Sequence, residues 1–286
     1  MGIGLIYKTK EVIIEENTAT GVPYLYYPLL KKTDMVYHGF STRLGGVSEG
    51  VCSTMNLSFT RGDKKPAVKE NFRRIANAVG VSYDSMVFSK QTHTTNVRVV
   101  TAQDRGKGIV KPLDYEEVDG MITNSPGICL ATFYADCVPL FFVDPVNRAI
   151  GLSHSGWRGT VGKIGRVTLE MMRQEYGTRP EDVRAAIGPS ICQDCYEVSE
   201  DVIDEFRRSF CEEQWNKLFY AKENGKFQLD LWKANQHILL DCGVKTEHLA
   251  VTNLCTCCNE TLLFSHRASK GKRGNLGAFL ALKEEL

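Results

Sequence analysis

The sequence predicts one mixed α/β domain that spans residues 1–286, with a mixed central sheet flanked by helices. Short runs rich in Val, Ile, Phe and Tyr interleave irregularly with longer helix-like segments, so strict βαβ alternation is not expected. The runs 128–134 and 138–143 are apolar on both faces, which is typical of a buried centre. No internal repeat, low-complexity tract or linker rich in Pro, Gly and Ser divides the chain.

Each strand is predicted from β-branched and aromatic residues that turn residues bound. The predicted strands are 36–40, 86–89, 96–100, 128–134, 138–143, 149–153, 183–187 and 249–253. Each helix is predicted from its end signals, such as an early Pro, a capping Ser or a terminal Gly. The predicted helices are 66–78 before Gly80, 161–176 before Gly177, one capped by Ser199 that runs to about 213, and 229–241 before Gly243.

Composition excludes several classes of function. The chain has 35 basic and 34 acidic residues and a net charge of +1, which argues against a nucleic-acid binder driven by bulk charge. No window approaches the roughly 18 apolar residues of a membrane span, and the N-terminus has no signal-peptide core. We therefore expect a cytoplasmic protein whose ten cysteines are mostly reduced thiols.

Three soft-metal ligands lie where apolar, strand-like runs meet polar or glycine-rich residues. They are His93 in KQTH, Cys137 in ADC and His154 in HSGWRG. Two imidazoles and a thiolate leave one position of a tetrahedral zinc open, which is typical of a catalytic site. The spacing does not show that the three converge, and a surface-loop histidine at 93 and an inert buried thiol at 137 stay open as alternatives.

Four further residues are candidates for chemistry. Arg43 in STRLGGVS and Arg158 beside two glycines before a helix are suited to phosphate, and Lys90 adds positive charge. Asp136 is a carboxylate inside an apolar stretch, where a charge is costly unless it is paired or functional. Solvent loops, a capping turn and a solvated lysine are the ordinary alternatives at these positions.

Five of the seven cysteines in the C-terminal third of the chain lie in two short motifs. Cys192 and Cys195 form one CxxC, and Cys255, Cys257 and Cys258 follow after a gap far longer than that of ordinary zinc ribbons. We favour packed or incidental thiols here, with a second, structural metal as the alternative.

From about residue 36 to the C-terminus, ordered motifs of the chain resemble those of the laccase-domain or YfiH-like family. The matching motifs are FSTRLGGVS at 40–48, MNL at 55–57, KQTH at 90–93, DG at 119–120, ADCVP at 135–139, HSGWRG at 154–159, IGPSI at 187–191, CYEV at 195–198 and SHR at 265–267. Cys192 is not part of the family pattern, which weakens the case for a second metal.

The resemblance implies a fold like that of the YfiH-type and toxin-deamidase group, with a catalytic zinc bound by His93, Cys137 and His154. It also implies phosphorolysis of adenosine, inosine, guanosine and methylthioadenosine to the base and a sugar 1-phosphate, and deamination of adenosine to inosine. Purine nucleosides and phosphate are then the expected partners of a monomer or homodimer.

The residues leave two alternatives to this zinc chemistry open. Copper can occupy the same trio and support weak polyphenol oxidation, but the six histidines include no His-x-His pair of the kind that multicopper oxidases use. Without a metal, Cys137 and His154 would form a nucleophile and base of a thiol hydrolase or deamidase. In the zinc enzyme, Arg43, Arg158 and Lys90 are the phosphate candidates, and Asp136 is the candidate proton shuttle or support for Cys137.

Overall fold

The computed structural model describes residues 2–284, so Met1, Glu285 and Leu286 of the predicted domain lie outside the described residues. Numbered in chain order, the strands are β1 (Glu15–Asn17), β2 (Tyr24–Tyr26), β3 (Val36–Ser41), β4 (Met86–Phe88), β5 (Val97–Val99), β6 (Gly120–Thr123), β7 (Cys129–Tyr134), β8 (Val138–Asp144), β9 (Ala149–Ser155), β10 (Arg184–Ile187), β11 (Glu197–Val198), β12 (Phe219–Ala221), β13 (Phe227–Leu229), β14 (Leu249–Val251) and β15 (Leu276–Leu282). The α-helices are α1 (Pro28–Lys31), α2 (Lys65–Val79), α3 (Trp157–Val161), α4 (Ile164–Tyr176), α5 (Glu200–Ser209), α6 (Glu212–Leu218) and α7 (Leu231–Asp241).

Two six-stranded mixed sheets form the body of the protein. The first has the order β1-β2-β3-β15-β7-β4, and the second has the order β14-β10-β8-β9-β6-β5. Most neighbours are antiparallel, but β4 pairs with β7, β5 with β6 and β10 with β14 in parallel. A small antiparallel sheet of β11, β13 and β12 lies apart from these two.

Side chains point alternately to the two faces of each sheet, and the apolar ones form three buried layers. Between the sheets, Leu130 and Tyr134 of β7 pack in one cluster with Phe141 and Val143 of β8. The outer face of the first sheet packs on α2, and the outer face of the second packs on α4, α5 and α7. The resulting order of layers is helix, sheet, sheet and helix, which explains why β7 and β8 are apolar on both faces.

The mixed α/β class is confirmed, and all eight predicted strands are present with small shifts at their ends. The β-structure divides between two large sheets where the sequence predicts one central sheet, because β7 and β8 follow each other but belong to different sheets. No strand is predicted at β15, whose Ala and Leu favour a helix, yet pairing with both β3 and β7 keeps it extended.

The predicted helices are present, but two of them are divided. The prediction of 161–176 becomes α3 and α4, which are separated at Lys163 by a left-handed backbone with φ of 57°. The prediction from Ser199 to about 213 becomes α5 and α6, because Phe210 is extended and stacks on Phe206. In the described part of the chain, no helix is long and apolar enough to cross a bilayer.

A buried ion-pair cluster supports the turn after β5. The carboxylate of Asp104, which is 3% exposed, accepts from Arg98 Nη2 at 3.0 Å, Lys107 Nζ at 2.8 Å and the Thr101 N–H at 2.9 Å. Burial by itself raises the pKa of Asp104, but these donors lower it to about 2. The carboxylate therefore stabilises the fold above the pKa of the unfolded chain, and this contribution disappears as the pH falls from about 4 to about 2.

We predict that Asp104→Asn lowers the free energy of unfolding at pH 7 by about 2 kcal/mol, because the amide cannot hold both cations. Urea unfolding at pH 7 and pH 3 measures this, and the difference from the wild type should shrink at pH 3. Asp114→Asn is the matched control, since Asp114 pairs with the same Lys107 but is largely exposed. An equal loss at both pH values would contradict the prediction.

Candidate functional site

Two of the three predicted metal ligands lie in connections where the chain passes between the two sheets, and the third lies in a strand. His93 lies in the connection from β4 to β5, and Cys137 lies in the three-residue connection from β7 to β8. His154 is the last residue but one of β9, in the second sheet. The sheet packing therefore brings together residues that lie far apart in the sequence.

The three side chains form one compact cluster. Their ligand atoms lie within 4.8 Å of one another, and Cys137 Sγ is 3.9 Å from His93 Nε2. The two imidazole rings have centroids 5.0 Å apart. His154 is buried, Cys137 is half-buried and His93 is exposed, so the cluster has one side open to solvent.

The carboxylate of Asp119, which is fully buried, organises the cluster. It accepts a hydrogen bond from His154 Nδ1 at 2.8 Å, which leaves Nε2 of His154 free as the ligand atom. The same carboxylate accepts the N–H groups of Thr92, His93 and Thr94 at 2.9–3.1 Å. One side chain thus fixes the His93 loop and the orientation of His154 together.

The electrostatics of the cluster favour a thiolate. Burial by itself raises the pKa of the Cys137 thiol, but the charge and hydrogen bond of His154, together with His93, lower it to about 6. Burial by itself lowers the pKa of His154, but the Cys137 thiolate and Asp119 raise it to about 9. The thiolate is the form that binds a metal or acts as a nucleophile, and metal binding would release the His154 proton.

The donor set fits zinc with an open position. Zinc–nitrogen and zinc–sulfur bonds of about 2.0–2.3 Å in a tetrahedron separate N from S by about 3.6 Å, close to the 3.9 Å seen here. Imidazole and thiolate also suit copper, so the ligands alone do not select one of the two metals.

A cavity of about 620 Å³ opens onto the trio, a size that suits a small-molecule ligand. Its walls carry aromatic side chains, among them the half-buried Phe59 and Phe133. Four cationic residues line it, and among the described residues no Asp or Glu does. The cationic residues are Arg61, Lys90, Lys111 and Arg273.

Of the predicted phosphate residues, Lys90 lines this cavity, where it also pairs with Glu116 at 3.5 Å. Arg61 and Arg273 are not among the residues that the sequence predicts for phosphate. Arg273 is 9% exposed, and its buried Nε has no hydrogen-bond partner among the described residues. Burial and the charge of Arg61 lower the pKa of Arg273 to about 10, so it stays a cation at neutral pH.

Arg43 and Arg158 lie outside the residues that line the cavity. The Arg43 guanidinium donates to the carbonyls of Ser53 and Glu260 at 2.8 and 2.7 Å and lies over the Phe264 ring, beside a smaller cavity of about 230 Å³. Arg158 is exposed and stacks on Trp157 at 4.2 Å. Both guanidinium groups thus have local partners, which the glycine-rich sequence around them did not reveal.

Asp136 is buried beside the trio, but it also does not line the cavity. Its carboxylate accepts from the Thr256 hydroxyl and the Arg267 N–H, both at 2.7 Å, and its carbonyl accepts the Ile191 N–H at 3.0 Å. Its backbone has φ of 89°, a left-handed conformation that is uncommon for aspartate. These contacts hold the turn that presents Cys137.

Together, the fold and the site define a class: a four-layer protein in which two histidines and a cysteine could hold a metal at the crossing between two sheets. The chain matches the family described as multi-copper polyphenol oxidoreductase laccase over residues 37–283. It belongs to this family.

Individual relatives share most of their length with the chain. Purine nucleoside phosphorylase YlmD of Bacillus subtilis is 39% identical over 250 residues, which cover 87% of this chain and 89% of the relative. Adenosine deaminase RL5, from an unknown prokaryotic organism, is 34% identical over 233 residues, which cover 80% and 87%. The crystal structure of the hypothetical protein YfiH of Bacillus licheniformis superposes with a TM-score of 0.87 at 33% identity, covering 94% of this chain and 99% of that chain.

We predict that Gly156→Ala lowers metal affinity about tenfold or more, because the new Cβ would lie 2.8 Å from His93 Cδ2 and 3.2 Å from Cys137 Sγ. Competition with a chromophoric zinc chelator measures the affinity. Gly159→Ala is the control, since its Cβ would meet nothing closer than 3.4 Å. Equal affinities for both variants and the wild type would contradict the proposed ligand set.

Proposed function

We propose that the protein is a zinc-dependent purine nucleoside phosphorylase that converts adenosine, inosine, guanosine or methylthioadenosine to the base and a sugar 1-phosphate. The observation that carries the proposal is the cavity beside the trio, which has cationic and aromatic walls and no acidic side chain among its described lining residues. A nucleoside phosphorylase needs this combination, because one substrate is a dianion and the other has a flat purine. The names of the phosphorylase relatives support the same activity.

Phosphate would be held by cations of the cavity. In phosphorolysis, a phosphate oxygen bonds to the anomeric carbon while the bond from that carbon to the purine nitrogen breaks, and the purine takes the electron pair and a proton. Arg61, Arg273 and Lys90 are the proposed phosphate ligands, since they share one cavity with the trio. Arg273 lies in the cavity wall, where its buried positive charge would attract a phosphate anion.

The purine would lie against the aromatic wall. Phe133 and Phe59 are half-buried and line the cavity, and Phe133 is packed edge-on against Phe88 with ring centroids 4.8 Å apart. Rings fixed in this way offer a rigid stacking surface, which tolerates different purines. This tolerance fits the several nucleosides proposed as substrates.

His93, Cys137 and His154 would hold the zinc, which when bound supplies Lewis acidity toward the substrate. Asp119 orients His154 and the His93 loop. Asp136 is a positioning residue in this proposal, because both of its carboxylate oxygens already accept hydrogen bonds within the protein. These contacts favour support of Cys137 over proton transfer.

A second candidate activity at the same site is hydrolytic deamination of adenosine, in which a water oxygen bonds to C6 and ammonia leaves. The name of the relative Adenosine deaminase RL5 favours it. The open side of the trio, at the exposed His93, leaves room for the water and the base.

Two other chemistries share these residues. Copper at the trio would make the protein a polyphenol oxidase. A multicopper centre is not favoured, because the possible metal ligands of the described residues form only two clusters, and just one of these contains histidine. A metal-free thiolate at Cys137 would supply a thiol hydrolase or deamidase, with His154 as its base. The proposed phosphorylase and deaminase activities both require the metal, and the hydrolase requires its absence.

The physiological setting follows from the substrates. Purine nucleosides and inorganic phosphate are small cytoplasmic metabolites, so we place the enzyme in the cytoplasm, as a monomer or homodimer that needs neither nucleic acid nor a membrane. The balanced charge of the chain supports this setting.

We predict that the zinc-loaded protein converts adenosine to adenine and ribose 1-phosphate only when phosphate is present, and forms inosine without it. Arg61→Gln should raise the KM for phosphate about tenfold or more while deamination persists, because it removes a charge-assisted hydrogen bond to phosphate alone. Liquid chromatography with mass spectrometry identifies the products.

Arg73→Gln is the matched control, since Arg73 is an exposed arginine of α2 that lies over the Tyr83 ring, away from the cavity. Its phosphate dependence should equal that of the wild type. Absence of both products, with cleavage of amide substrates by the metal-free protein, would replace the proposal with the thiol hydrolase.

A further inference from the structure

A second cluster of soft ligands lies away from the cavity, in the cysteine-rich part of the chain. The sequence favours packed or incidental thiols there, but the structure brings four of the five cysteines together with sulfur atoms within 4.8 Å of one another. We call this set the thiol cluster; its members are Cys192, Cys195, Cys255 and Cys258. Cys257, between the last two, is not a member.

We propose that the thiol cluster binds a structural zinc ion. Four thiolates at zinc–sulfur bonds of about 2.3 Å lie about 3.8 Å apart, and Cys195 Sγ is 3.6 Å from Cys258 Sγ. Each pair comes from one Cys-x-x-Cys turn, the ligand spacing of structural zinc sites. Because four protein ligands complete the tetrahedron, this site has no open position for chemistry.

The backbone around the thiol cluster supports negatively charged sulfur. The N–H groups of Cys192 and Cys258 donate to Cys255 Sγ at 3.2 and 3.4 Å. A parallel bridge between Ser190 and Cys255 fixes the two turns side by side. Cys192 and Cys255 are buried, and buried thiolates require a compensating cation. Hydrogen bonds to the sulfur also orient it as a ligand.

The proposed zinc would join the two loops that hold Asp136. Ile191, in the first loop, donates to the Asp136 carbonyl, and Thr256, in the second, donates to its carboxylate. Arg267 ties the first loop to Asp136 a second time, since its N–H donates to Asp136 and its guanidinium donates to the Cys195 carbonyl at 3.0 Å. The structural zinc therefore stabilises the turn that presents Cys137, without taking part in the reaction.

Zinc counting tests the proposal without reference to activity. Protein purified from zinc-supplemented medium under reducing conditions should contain two zinc ions per chain by inductively coupled plasma mass spectrometry. The double variant His93→Ala/His154→Ala should keep one, and X-ray absorption should show only sulfur ligands, at about 2.3 Å. This measurement leaves the thiol cluster intact, so it does not depend on whether a cysteine variant folds.

Cysteine variants provide the matched comparison. Cys258→Ser should lose one zinc and unfold at a lower temperature, whereas Cys257→Ser, one residue away, should keep both ions and the wild-type melting temperature. One zinc in the wild type and none in the histidine double variant would overturn the proposal, as would a chain mass showing disulfides among these cysteines. The zinc counts do not depend on the proposed phosphorylase activity, so the two proposals can fail separately.

Discussion

The buried carboxylate of Asp119 is the contact on which the site depends. It accepts three backbone N–H groups from the loop that carries His93 and the Nδ1–H of His154, so one residue positions two of the three proposed ligands. Burial by itself raises its pKa, but the His154 hydrogen bond and charge and these N–H groups lower it to about 2. The carboxylate therefore stays ionised across the physiological range and can accept all of these hydrogen bonds.

The third proposed ligand, Cys137, is positioned by the connection between the two sheets and not by Asp119. Cys137 lies in a three-residue connection from one sheet to the other, where Asp136 has a left-handed backbone. Hydrogen bonds from Ile191 and Thr256, in two distant loops, stabilise this backbone. Those loops carry the thiol cluster, so the proposed structural zinc supports the proposed catalytic one. Rigid loops around a metal site keep its ligands in place, which favours selective and tight binding.

Local sequence signals predicted eight of the fifteen described strands, because β-branched residues and turn residues mark them. They also selected the three histidine and cysteine residues that cluster at the candidate metal site. The same signals could not find Arg61 and Arg273, which meet in the cavity only through the packing of distant loops. They selected Arg43 for its glycine-rich context, although its guanidinium is bound by two carbonyl groups. Asp119 entered the prediction only through the DG motif at 119–120, because strand β6, which follows it, was not predicted.

The affinity for zinc of the site formed by His93, Cys137 and His154, measured in the Asp119→Asn variant, tests most directly whether this carboxylate organises the site. The account predicts a loss of about 10–100-fold, because the amide cannot accept from the loop and from His154 at once. Asp104→Asn, a change at another buried aspartate, should leave zinc affinity unchanged even if it lowers stability. An Asp119→Asn protein that binds zinc as tightly as the wild type would contradict the account.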